Sequence, residues 1–191
     1  MSSKPRRLIG AATYFLLVVA CVIPFAYASP QIEALRPLIR PGENAPPFTL
    51  KDMDGKSVSY RPSGKNPALI VFWSAFCPLC RELTPSLNDI SRRHGASIRV
   101  VSVNLDGKRF THAVKAFVKE FSVTYPVLLD DIRGDFFIAS DPYGVEKTPT
   151  AVLVDARGKV RAAYAADGMR VMIADFDGIL SGLKEGSGVK K

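Results

Sequence analysis

An unbroken apolar run, Ala68-Leu69-Ile70-Val71-Phe72-Trp73, ends four residues before Cys77-Pro78-Leu79-Cys80. A run of this kind reads as a strand buried on both faces, and such a strand has to lie inside a sheet covered by helices. The residues from Pro78 to about His94 then read as a helix closed by Gly95, with Pro85 expected to kink it. The two cysteines therefore stand where a central strand hands over to a helix.

That placement has a chemical consequence. With two residues between them on a first helical turn, the sulfurs can close into a small disulfide ring or open into a dithiol with little backbone movement. Cys77, at the helix N-terminus, would face unsatisfied backbone N–H groups, which suits the attacking sulfur. Cys80, one turn in and flanked by Leu79 and Leu83, would be more buried and resolve the mixed disulfide. Pro78 falls at the first helical position, where a missing N–H costs nothing.

The formal charge of +8 over 191 residues suggests nucleic acid until it is located. Three of those charges are Lys4, Arg6 and Arg7, and two more come from the tail of Lys184, Glu185, Lys190 and Lys191. The middle of the chain is only mildly basic, without a basic stripe interleaved with aromatics, so nucleic acid is not an expected partner.

Behind the basic N-terminus, Leu8–Ala28 is uncharged and would reach about 31 Å as a helix, close to a ~30 Å hydrocarbon core. Residues 1–28 read as an export segment. The length fits an uncleaved membrane anchor, whereas Pro24 and the Ala26-Tyr27-Ala28 pattern fit a cleaved signal peptide; lipidation at Cys21 is a third option. Each puts the rest of the chain outside the cytoplasm, in a periplasm-like compartment, soluble or held at the inner membrane. Apart from Cys21 there is then no cysteine beyond Cys77 and Cys80, and the exported part must stand on its hydrophobic core.

Residues 29–41, rich in proline, read as a linker, residues 42–184 as one folded domain, and residues 185–191 as a flexible basic tail. Within the domain, Phe48–Leu50 and Ser57–Tyr60 flank Asp54-Gly55 as a hairpin. Ile98–Val103 reads as a second buried strand, Phe110–Phe121 as an amphipathic helix, and Pro126–Leu129 as a short strand. Asp130–Pro142 is an irregular or short helical insert. Thr150–Val154 and Lys159–Tyr164 pair across a turn at Asp155–Gly158, and Met169–Leu183 closes the chain as a single helix, with Gly178 as its weak point. The alternation gives an α/β fold with a mixed central sheet flanked by helices.

An ordered set of segments now stands out: Gly42-x-x-Ala45-Pro46-Pro47-Phe48-x-Leu50, Asp54-Gly55-Lys56, Phe72 through Cys80, Pro85, Val103-Asn104-Leu105-Asp106, Tyr143-Gly144-Val145, and Thr148-Pro149-Thr150 followed by Val154-Asp155-x-x-Gly158. Over about residues 42–168 the chain resembles the exported TlpA/ResA-like thiol-disulfide oxidoreductases of the thioredoxin superfamily. The resemblance implies a thioredoxin-like fold with an N-terminal hairpin and a central insert. It also implies that Pro149 is cis beside the dithiol and that Thr148 offers its backbone to an extended substrate. Phe76 and Trp73 would line that substrate site.

The chain departs from the pattern where acids are concerned. Phe76 stands where many relatives have Trp, Val71 where thioredoxin has a buried Asp, and Leu83 where ResA-type members often have Glu, with Glu82 one place off. Glu146 is the candidate acid/base, and Arg81 and Lys147 are the candidate cations beside the dithiol. His94 and His112 read as helix-end residues.

The resemblance implies disulfide reduction in exported proteins, apocytochrome c among them, recharged by a membrane electron donor and needing no cofactor beyond the redox-active disulfide Cys77–Cys80. No metal ligand set is expected. The alternatives on the same fold are a copper-binding chaperone, which needs a third ligand, and a peroxiredoxin-like peroxidase, for which Ile70 stands where proline is needed.

Overall fold

The structure is a computed structural model that describes residues 37–185. The expected export segment 1–28, most of the linker and residues 186–191 lie outside the described residues. Strands β1 (Phe48–Asp52), β2 (Ser57–Tyr60), β3 (Ala68–Trp73), β4 (Arg99–Asn104), β5 (Val127–Leu129), β8 (Thr150–Val154) and β9 (Val160–Ala165) form one sheet in the order β2-β1-β5-β4-β3-β8-β9. The pairs β3/β4 and β4/β5 are parallel and the others antiparallel, a mixed sheet of thioredoxin-like type. Helix α1 (Pro78–His94) follows β3, and α2 (Thr111–Glu120) follows β4 after a short 3-10 turn at Lys108–Phe110.

Strand β3 lies inside the sheet between β4 and β8, and every one of its side chains is buried. Alternation sends Ala68, Ile70 and Phe72 into one core with Phe48 and Tyr143. Leu69 and Val71 enter a second core against Leu83, Leu87 and Ile90 of α1. A third cluster, at the C-terminal end of β3, joins Trp73 and Cys80 to Val114 and Phe117 of α2. Helix α1 runs unbroken through Pro85, whose exposed position leaves only the Arg81 carbonyl without an intrahelical donor.

Three expectations are corrected and one is extended. Ile39, assigned to the linker, is 2% exposed within the first core, and its N–H donates to the Tyr143 carbonyl at 3.0 Å. The insert has the short helix expected of it, α3 (Ser140–Tyr143), and adds a two-residue ladder, β6 (Ile132–Arg133) with β7 (Phe136–Phe137). Buried Asp130 organises it, accepting from the backbone N–H groups of Ala139 and Ser140 and from Ser140 Oγ. Phe110 precedes α2 instead of opening it.

The closing helix is two, α4 (Gly168–Ala174) and α5 (Phe176–Glu185), parted at Asp175. The Asp175 carboxylate lies over the first turn of α5, where a Cβ on residue 178 would stand 2.6 Å from Oδ1, so Gly178 makes room for it. Among the described residues no helix is long and apolar enough to cross a membrane.

Candidate active site

Parallel pairing with Trp73 opposite Asn104 brings the C-terminal ends of β3 and β4 side by side, so the segments that follow them meet. Ser74 Oγ donates to Asp106 Oδ1 at 2.5 Å, and the Ala75 N–H and Asn104 Nδ2 donate to Asp106 Oδ2, each at 2.8 Å. The Phe76 N–H donates to Ser74 Oγ at 3.1 Å and the Cys77 N–H to the Ser74 carbonyl at 3.2 Å. The turn that presents Cys77 is thus held by one carboxylate from the neighbouring strand end. Asp106 was not singled out from sequence. The signal available was its position in Val103-Asn104-Leu105-Asp106, just beyond a strand that could pair in parallel with β3.

Cys77 is the N-cap of α1, and its half-buried sulfur accepts from the Cys80 N–H at 3.2 Å. A sulfur in the N-cap role satisfies one of the helix's orphan donors. The same Sγ approaches the Thr148 carbonyl at 3.4 Å, a thiol-to-carbonyl contact. The Thr148–Pro149 peptide is cis, and Pro149 is buried. Cys80 is 3% exposed, and burial, reinforced by the Cys77 thiol, pushes its own thiol well above the ordinary value. The pair is therefore asymmetric: one accessible sulfur with hydrogen-bond support, and one protonated sulfur behind it.

Several residues named from sequence fall elsewhere. Trp73 is 5% exposed, its ring tilted 41° to that of Phe117 with centroids 4.6 Å apart, in the buried cluster that also holds Cys80. Phe76 does face outward. Arg81 of α1 reaches Glu120 at the end of α2, at 2.5 Å, with its guanidinium 4.9 Å from the Phe121 ring centroid, so its charge is already matched. Glu82 pairs with Arg170 of α4, which holds its carboxyl below the usual carboxylate range.

Glu146 is exposed and lines a cleft of about 320 Å³ with Pro37, Leu38, Gly144, Lys147, Thr150 and Ala165. Val71 and Leu83 are core residues. Inside from Cys80 the structure offers hydroxyls: Thr84 Oγ1 donates to the Cys80 carbonyl at 2.7 Å, and the buried Tyr125 phenol is pushed well above its ordinary value by desolvation.

His94 pairs with Asp177 at the far end of α1, and His112 is exposed at the start of α2. Among the described residues no group of three or more His, Cys, Asp or Glu side chains is arranged to hold a metal ion.

The Redoxin family model matches residues 40–180, which spans the sheet, the dithiol and the cis-proline loop. The chain belongs to the Redoxin family. Within that family it is 28% identical over 174 residues to thiol-disulfide oxidoreductase ResA of Bacillus subtilis, covering 91% of this chain and 93% of that one. The ResA of Halalkalibacterium halodurans is 25% identical over 162 residues, 84% and 88% of the two chains. Among solved structures, a putative thiol:disulfide interchange protein DsbE from Chlorobium tepidum superposes with a TM-score of 0.64 at 28% identity, over 76% of this chain and 99% of that one. This Redoxin protein is a ResA/TlpA-like thiol-disulfide oxidoreductase of thioredoxin-like fold.

Proposed function

We propose that the chain works outside the cytoplasm as a disulfide reductase of exported proteins, apocytochrome c among its substrates. The observation that carries the chemistry is the asymmetry of the pair, a half-buried Cys77 capping α1 and a buried Cys80 behind it. In the first step the Cys77 thiolate attacks one sulfur of a partner disulfide, forming a mixed disulfide and releasing the partner's other sulfur as thiolate. In the second, Cys80 gives up its proton and attacks Cys77 Sγ, so the Cys77–Cys80 disulfide forms and the partner leaves with two thiols. Two electrons pass to the partner, and a membrane electron donor returns them. The pair itself serves as the redox group.

Cys77 is the nucleophile in this reading, Cys80 the resolving sulfur, and the Thr148-Pro149 backbone with Phe76 the platform for an extended partner segment. The basic and uncharged order of residues 4–28 supports export.

The test is alkylation of the two thiols in freshly isolated envelope, read as a mass shift, beside insulin reduction by the purified chain. The reading expects a mostly reduced pair, insulin reduction lost in Cys77→Ser, and a stalled mixed disulfide with an exported protein in Cys80→Ala. A pair found wholly oxidised in the envelope overturns the reductase direction. Normal activity in Cys77→Ser overturns the mechanism.

A further inference from the structure

Phe76 and Phe110 are 60% and 42% exposed, and their rings meet edge to face with centroids 5.2 Å apart at 80°. Large apolar side chains left in water beside a reactive group mark a contact surface. Both rings are held from their backbones, Phe76 through its N–H on Ser74 Oγ and Phe110 through its N–H on the Gly107 carbonyl at 3.1 Å. Asp106 connects the two loops: it clamps the turn that carries Phe76 and immediately precedes the turn that carries Phe110. The guanidinium of Arg109 lies 5.7 Å from the Phe110 ring centroid, closing one flank.

Phe76 is the residue before the nucleophile, one Cα step of about 3.8 Å from it, so a polypeptide whose cysteine is bonded to Cys77 brings its adjoining residues toward these rings. We propose that Phe76 and Phe110 form an aromatic clasp that selects cysteine-containing polypeptides carrying an aliphatic or aromatic side chain next to the reacting cysteine. The proposal rests on the thiol-exchange reading above and adds the substrate feature it recognises. Phe110 is its specificity residue, one that the sequence pattern places at the start of a helix.

The experiment uses the full chain carrying Cys80→Ala and two peptides identical except for Leu or Ser just before a cysteine held as a mixed disulfide with thionitrobenzoate. The Cys77 thiolate attacks the peptide sulfur, a Cys77–peptide disulfide forms, and thionitrobenzoate leaves and is read by absorbance. Second-order rates are normalised to attack by glutathione on the same peptides. The clasp expects the Leu peptide to react on the order of tenfold faster, as burial of one aliphatic side chain allows. Phe110→Ser should bring the ratio close to one, and Phe110→Leu should keep most of it; Phe76→Ser, read the same way, serves should Phe110→Ser not fold. Equal rates for the two peptides, or a ratio unchanged in the serine variant, overturn the clasp while leaving thiol exchange standing. Release with neither peptide overturns the exchange reading and the clasp with it.

Discussion

Ser74 Oγ and Asp106 Oδ1 lie 2.5 Å apart, and this hydrogen bond ties the turn in front of the nucleophile to the strand end beside it. The same carboxylate also takes the Ala75 N–H, so removing it strands a backbone donor on a residue that is 8% exposed. Asp106→Ala is expected to lose about 2–3 kcal/mol of stability, the range for a charged acceptor with several donors, and to lower insulin reduction roughly tenfold by loosening the Phe76–Cys77 turn. Denaturant unfolding and turnover measure the two effects. A fully active, equally stable variant would remove Asp106 from the site.

The two thiols should react very unequally. With Cys77 half-buried and Cys80 3% exposed and held protonated by burial, iodoacetamide near pH 7.5 is expected to add a single group to the native dithiol, at Cys77. Unfolding in denaturant should expose the second. Peptide mapping of the labelled chain decides it, and equal labelling of both cysteines in the native chain would count against the asymmetry.

Burial of Cys80 also sets a pH dependence. Its folded-state value is raised above the ordinary 9.0 by desolvation. The folded state therefore holds the proton more tightly, and the contribution to stability is complete below pH 9 and declines as pH rises past it, by at most about 1.4 kcal/mol per pH unit. Thermal unfolding of the reduced chain between pH 8 and 10 should show a steeper fall than that of Cys80→Ser. Parallel curves would contradict the assignment.

The indole N–H of Trp73 is buried without a hydrogen-bond partner. Trp73→Phe removes that orphan donor, worth about 1–3 kcal/mol, and offsets part of the packing lost against Phe117. The net change in stability should stay within about 1 kcal/mol, and KM for insulin should move less than about twofold. A large rise in KM would return Trp73 to the substrate surface.

Ile39→Ala should be costly for a residue expected in a linker. Its side chain is 2% exposed within the core that holds Phe48 and Tyr143. A loss of about 2–4 kcal/mol is expected in denaturant unfolding, against a few tenths if the segment were only a tether.

Taken by itself, the sequence determined what depends on neighbours in the chain. The apolar run of β3, the dithiol at the start of α1, the hairpin around Asp54-Gly55 and the paired strands β8 and β9 were legible, because period, turn residues and caps act over a few positions. The expectation of a cis peptide before Pro149 came from the resemblance, and the structure has that geometry.

What the tertiary structure decided is how loops distant in sequence meet. Parallel pairing of β3 with β4 brings Asp106 onto Ser74 and Phe110 onto Phe76, neither of which a local pattern can express. Packing also drew Trp73 inward, sent Arg81 to Glu120 and Glu82 to Arg170, and left Glu146 exposed in a cleft with Pro37 and Leu38. A charge near a cysteine in the chain is not a charge near its sulfur; the partner that each side chain finds in three dimensions settles which of them bears on the dithiol.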